Sequence, residues 1–308
     1  MKFRFHNFAE LREILNSEKI SVPDYALKRE AFITGNSIEA MEAVLDRRIE
    51  VTRQALIKGL QSPQFSRSGL TRGAAVTFAR AEKILVRDGL FRRAVTYALA
   101  INEVNACGGR IVSFPTAGSS GIVPGTIWAW RDQRRGEGQN GENPKIQEPE
   151  PQPPPYDQAL RGAFLISSLA GILIAQGATL AGSEGGCQAE CGSAGAMAAC
   201  ALSWLEGLSL DQCFSAAALS LKNSLGLACD PVAGLVEVPC VKRNAFAAVN
   251  ALTAVDLTLA GIESVIPFDE VVWAMKQIGN ALPVIIKENS TSGLAMTPTG
   301  LSYKESNG

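Results

Sequence analysis

The stretch NSIEAMEAVLDRRIEVTRQALIKGL, residues 36–60, sets the fold class. Met41, Val44, Leu45, Ile49, Thr52, Leu56 and Leu60 recur in it at helical spacing, so the spacing predicts a helix with one apolar face. Asn36 stands where an N-cap belongs, with Glu39 three residues on to return the bond. Ser62, Pro63, Ser66, Ser68 and Gly69 then break the pattern. Upstream, Phe8–Leu15 and Tyr25–Ile33 read as short amphipathic helices. Downstream, a helix over Leu90–Asn105 closes at the Gly108–Gly109 pair. Alanine-rich runs at 187–206 and 213–225 suit close helix packing, and further helices are expected over Cys240–Ile262 and Asp269–Gly279. Sustained period-two alternation is scarce. The expectation is an all-α fold, a single domain over residues 1–308.

Composition narrows the function classes. Hydrophobic residues make up 46% of the 308, enough for a sizeable core, while aromatics are only 6% and glycines number 29. A net charge of −1 leaves no basic stripe, so nucleic acid is not an expected partner. The start, MKFRFHNFAELREIL, lacks the apolar region of a secretory signal, and a cytoplasmic chain is expected. The seven cysteines then belong to a reducing compartment, and their odd number argues against a closed disulfide framework. Gly162–Ser183 is uncharged and long enough to span a membrane. Its Ser167, Ser168, Gln176 and Thr179, and its lack of flanking anchors, favour a buried helix instead. Residues 131–158 hold six prolines and almost nothing apolar, and read as a flexible surface insertion within the domain.

Three cysteines stand out by context. Cys187 follows Gly185–Gly186 and Cys240 follows Pro239, each opening a helical run where free N–H groups favour a thiolate. Cys229 lies in a loop between Gly226 and Pro231. Three such thiols suit a metal or cluster with three protein ligands; taken singly, each is also a normal buried cysteine acting as a small apolar residue. Cys107, Cys200 and Cys213 fit that second description. Cys191, one helical turn after Cys187, would begin a radical-type cluster motif, but the third position of that motif is Ala194. Zinc is poorly served, since no C-x2-C pair exists and the single histidine is His6.

The second candidate is PTAGSSGIVPG, residues 115–125. Its glycines let the backbone approach a ligand, and Thr116, Ser119 and Ser120 add hydroxyl donors suited to a small carboxylate. A plain structural turn is the competing reading. Neither a Walker loop nor a dinucleotide fingerprint is present.

These segments carry a resemblance. NEVNACGGR (102–110), PTAGSSGIVPGT, GGCQAECGSAGAMAA, LKNSLGLACDPVAGLVEVPCVKRNA and the closing TPTG resemble the α chain of bacterial iron–sulfur L-serine dehydratases. The resemblance covers about residues 1–130 and 157–300 and is weakest at the N-terminus; the insertion at 131–158 departs from the family pattern. It implies a largely helical fold, a [4Fe–4S] cluster held by Cys187, Cys229 and Cys240, and conversion of L-serine to pyruvate and ammonia. Some single-chain relatives bring a C-terminal cysteine to the fourth iron. This chain ends in GLSYKESNG, so the resemblance implies an iron left open to act as a Lewis acid on the β-hydroxyl. Thr116, Gly118, Ser119 and Ser120 would hold the substrate carboxylate. Lys222 and Arg243 are candidates to offset negative charge, or solvated surface cations. For the α-proton, Glu103 is the conceivable base within the chain. The family's β chain, with a Ser-Ser-Ser-His-Thr motif, offers a better one, which implies a hetero-oligomer. Two alternatives remain at this point: a pyridoxal-phosphate enzyme using Lys222, and a membrane-associated scaffold anchored by 162–183.

Overall fold

The computed structural model describes residues 2–86, 89–135 and 154–307. Among them the chain forms helices and no strand: α1 (Phe8–Glu18), α2 (Val22–Thr34), α3 (Ile38–Gln61), α4 (Ala74–Arg80), α5 (Gly89–Ala106), α6 (Ile122–Arg134), α7 (Gln158–Gly177), α8 (Gly182–Gly185), α9 (Ser193–Leu205), α10 (Leu210–Lys222), α11 (Cys240–Leu259), α12 (Phe268–Ala281) and α13 (Pro298–Asn307). The all-α expectation holds. α13 was not foreseen.

The cap of α3 differs from the sequence reading. Ser37, not Asn36, accepts from the Ala40 N–H, at 3.2 Å. Asn36 belongs to the preceding turn: its N–H joins Gly35, in the left-handed region, in closing α2 onto the Ala31 carbonyl.

Two helices organise the core. α9 packs against α6, α7, α10 and α11, and α5 packs against α3, α4, α6 and α11. Small residues permit these contacts. A side chain at Gly125 of α6 would come within 2.7 Å of the Ala98 nitrogen of α5, so only glycine fits there. α7 is the described helix long and apolar enough to cross a membrane, yet most of that window is buried. Leu160, Phe164, Ile166, Leu169 and Leu173 are all at most 2% exposed, in a helix packed on α2 and α9. Burial of each such side chain is worth about 1.5–3 kcal/mol, which explains the apolar run without a lipid phase.

The edges of the proline-rich insertion are part of the core, contrary to the 131–158 boundary. Asp132 is fully buried at the end of α6 and pairs with Arg53 at 2.7 Å. Tyr156 is buried edge-on against Trp128, and Asp157 caps α7 while pairing with Arg131 at 2.7 Å. A charged, proline-rich composition hid these anchors. Residues 136–153 lie outside the described residues.

After α12 the chain returns to the middle of the molecule. Ile286 accepts from the Cys229 N–H at 2.8 Å, and Lys287 forms an isolated bridge with Cys229. This return strand of loop closes one side of the region described next.

Candidate functional site

Cys187 enters the site from a turn that only glycine allows. Gly186 has φ +75°, and a Cβ there would sit 2.8 Å from the Leu227 carbonyl oxygen. Cys187 then leads not into an α-helix, as the sequence suggested, but into one π-helical turn, Gln188–Gly192, ahead of α9. The wide turn puts Glu190 and Cys191 beside Cys187. Gln188 fixes it from both sides, donating to the Met275 carbonyl and accepting from the Gly226 N–H, each at 3.0 Å. Cys229 is held in its loop by the 286–289 segment, and Cys240 is the first residue of α11. All three are at most 5% exposed.

The thiols meet. Cys187 receives hydrogen bonds from Cys191 and Cys229 and a further contact from Arg243. The bonds from Cys191, then Cys229, hold the Cys187 thiol well below its ordinary value, to about 3, against burial. Cys191 and Cys229 are raised, chiefly by donating to Cys187, and burial with the Cys187 charge pushes Cys240 up to about 12. The hydrogen bonds thus favour the charge at Cys187 over its neighbours. Arg243 is the adjacent cation, and its Nη1 is tied to the Ala228 carbonyl at 2.6 Å. Three chain segments thus bring Cys187, Cys229 and Cys240 together, and Cys191, set aside on spacing, joins them. Among the described residues no His, Cys, Asp or Glu group of three or more is gathered as ligands of a single ion. Cluster thiolates attach to different irons and do not need that spacing. The donor set, buried cysteines beside a guanidinium, fits an iron–sulfur cluster.

The loop at 115–121 is a second, rigid wall. Ser119 is fully buried and its Oγ donates to the Phe114 carbonyl at 2.9 Å. Ser120 is also fully buried, against the Asn102 amide. Those two hydroxyls therefore brace the loop from inside, which corrects their expected contact with substrate. Thr116 and Gly118 face the thiol side instead. Two asparagines that sequence reasoning passed over set the loop's position. Asn102 donates to Gly118 O at 3.0 Å. Asn244 donates to Gly118 O at 2.8 Å and Cys240 O at 2.9 Å, and accepts from the Gly121 N–H at 3.0 Å. One side chain on α11 thus fixes the loop relative to a candidate ligand. The loop runs into the N-terminus of α6, where the Gly121 N–H is taken by Asn244 and the Ile122 N–H by the Ser119 carbonyl.

Glu190 bridges the two walls and was also missed. It accepts from Thr116, and the Cys229 sulfur lies 3.7 Å from its Oε2. Burial pushes its carboxyl up to about 7, opposed by the Thr116 bond and reinforced by the charges of Cys187 and Glu288. Its signal was present: it is the only charged residue between Glu184 and Glu206.

Two anticipated residues stand elsewhere in role. Glu103 is fully buried, and its two oxygens accept from Ala74 N at 2.6 Å and Ala75 N at 3.1 Å. It caps α4. Burial raises its carboxyl, and those two bonds lower it. Burial prevails and holds the carboxyl above its ordinary value, but both oxygens are occupied in capping α4. Lys222 sits in the last turn of α10, where its charge suits the helix C-terminus. Cys200 and Cys213 are buried in α9 and α10, as expected of packing cysteines.

Residues 17–295 match the family described as serine dehydratase alpha chain. A probable L-serine dehydratase alpha chain of Bacillus subtilis is 42% identical over 299 residues, covering 96% of this chain and 93% of its own. The L-serine dehydratase alpha chain of Peptoniphilus asaccharolyticus is 39% identical, covering 94% of each chain. L-serine dehydratase 2 of Escherichia coli is 38% identical over 65% of this chain but only 40% of its own length.

Proposed function

The chain belongs to the serine dehydratase alpha-chain family, and from that premise we propose that it is the alpha chain of a two-chain L-serine ammonia-lyase, forming pyruvate and ammonia in the cytoplasm. The observation that carries the reading is the meeting of Cys187, Cys229 and Cys240 beside Arg243, opposite the Thr116–Gly118 loop.

In this reading Cys187, Cys229 and Cys240 hold a [4Fe–4S] cluster. When bound, the cluster supplies Lewis acidity to the departing β-hydroxyl. The chain's own residues do the rest. Arg243 balances the charge of the Cys187 thiolate. Thr116 and Gly118 receive the substrate carboxylate. Ser119, Ser120, Asn102 and Asn244 keep that loop in place, so the carboxylate is oriented before reaction. Burial of the thiols excludes bulk water. Loss of water from serine leaves 2-aminoacrylate, which tautomerises and hydrolyses to pyruvate and ammonia. The acceptor of the α-proton is assigned to the beta chain, since Glu103 is engaged as a helix cap.

The test is reconstitution under anaerobic conditions. The alpha chain with its beta chain forms pyruvate from L-serine, while the alpha chain alone contains iron and sulfide yet turns over little serine. Full-rate turnover by the isolated alpha chain contradicts the two-chain assignment, and an aldimine absorbance in place of a cluster spectrum contradicts the cofactor.

A further inference from the structure

We propose that Glu190, with Glu288 beside it, binds the α-ammonium group of the amino-acid substrate. The inference rests on the serine reading above and adds a residue role to it.

Glu190 lies between the loop that receives a carboxylate and the thiols. An ideal Cβ on Gly118 would stand 3.7 Å from Glu190 Oε1 and 3.9 Å from Thr116 Oγ1, with Val236 Cγ1 nearer still at 2.8 Å, so the carboxylate oxygen and the loop hydroxyl meet at this glycine beneath an apolar side chain. The other oxygen faces a second glycine. A Cβ on Gly182 would stand 2.7 Å from Glu190 Oε2 and 3.4 Å from Glu288 Oε2. Gly182 has no left-handed backbone to require glycine; the crowding comes from the carboxylate pair.

That pair is electrostatically incomplete. Two carboxylates abut the same volume, and like charges so placed repel. Among the described residues neither Glu190 nor Glu288 forms an ion pair. The nearby guanidinium, Arg243, is engaged with Cys187, the Ala228 carbonyl and Asp230. Glu288 also adopts φ +54°, a left-handed conformation uncommon for a residue that is neither glycine nor asparagine. The bridge between Lys287 and Cys229 keeps this exposed residue at the rim of the site. A small cation with several N–H donors completes this arrangement. An α-amino acid carries its ammonium and its carboxylate on one carbon. The acceptor pair for the first must therefore adjoin the donor loop for the second, as Glu190 adjoins Thr116.

A direct binding measurement tests the assignment. The alpha–beta holoenzyme is titrated calorimetrically with L-alanine, which has the ammonium and carboxylate but no leaving group. It is titrated separately with 3-hydroxypropionate, which has the carboxylate and β-hydroxyl but no ammonium. Glu190→Gln is expected to weaken L-alanine by about 10- to 100-fold, the range for losing a charged hydrogen bond, and to leave 3-hydroxypropionate within about threefold. KM for L-serine rises with it more than kcat falls. Glu288→Gln, at an exposed position that folding tolerates, weakens L-alanine in the same direction by about three- to tenfold. Equal effects on the two ligands, or no effect on L-alanine from either variant, overturn the proposal. So does a loss confined to kcat, which would mark Glu190 as a proton carrier. If the wild-type holoenzyme makes no pyruvate from serine, the serine reading itself fails, a result separate from any difference between variants.

Discussion

Around Arg53 and around Cys187 the chain buries ionisable groups in two different ways. Arg53 and Asp132 are both fully buried and pair at 2.7 Å. Tyr97 donates to the same Asp132 oxygen at 2.9 Å, the guanidinium stacks 4.6 Å above the Trp128 ring, and the Trp128 N–H bonds Thr52. Opposite charges there meet within the chain, and the node joins α3, α5 and α6 as structure. Around Cys187 the balance is one-sided. Four cysteines and three carboxylates, Glu190, Glu288 and Asp230, gather about one guanidinium. Buried ionisable groups without internal partners are costly to stability, and they persist where something outside the chain completes them. The first node explains folding, and the second points to chemistry.

Breaking the Arg53 node should cost the most stability. Asp132→Ala leaves a buried guanidinium without its carboxylate and is expected to lower stability by about 3–5 kcal/mol. Thermal unfolding checks it, with iron content per folded chain unchanged. Cys229→Ser should do the reverse, removing iron while changing the melting temperature of the iron-free protein little. If both variants lose stability equally, the contrast between the nodes fails.

Asn244→Ala comes next. It strands the buried Gly121 N–H and removes one of the two amide donors to the Gly118 carbonyl, an expected loss of about 1–3 kcal/mol. KM for L-serine should rise as well, because the loop loses its tie to α11. Glu103→Gln weakens the cap on α4 by about 1–2 kcal/mol and should leave serine turnover intact once folded. Turnover lost without loss of stability would restore Glu103 as the base. The smallest effect concerns the loop hydroxyls. Ser119→Ala should cost about 1 kcal/mol of stability with KM nearly unchanged, whereas Thr116→Val should raise KM with little change in melting temperature.

The periodic part of the fold was legible in residue spacing. The repeat from Met41 to Leu60 foretold α3, and the uncharged run after Gly162 foretold a core helix. Boundaries fixed by neighbours were not legible. Asn36 is a good capping residue, but it finishes α2, and that depends on Gly35 adopting a left-handed backbone. Asp132 and Tyr156 looked like insertion residues because their partners, Arg53 and Trp128, are remote in sequence. In the site, Cys187, Cys229 and Cys240 could be picked out, the last two by their proline context and all three by resemblance. The π turn that places Glu190 and Cys191 has no sequence signature of its own. Asn102 and Asn244 were visible as polar residues inside otherwise well-formed helices, where they serve the loop rather than the helix.

Iron and acid-labile sulfide per alpha chain, measured after anaerobic purification of the alpha–beta enzyme, test the central claim most directly. The account predicts about four irons and four sulfides per wild-type chain and almost none after Cys187→Ser, Cys229→Ser or Cys240→Ser, with Cys191→Ser retaining both. Iron retained after Cys229→Ser and lost after Cys191→Ser would contradict it.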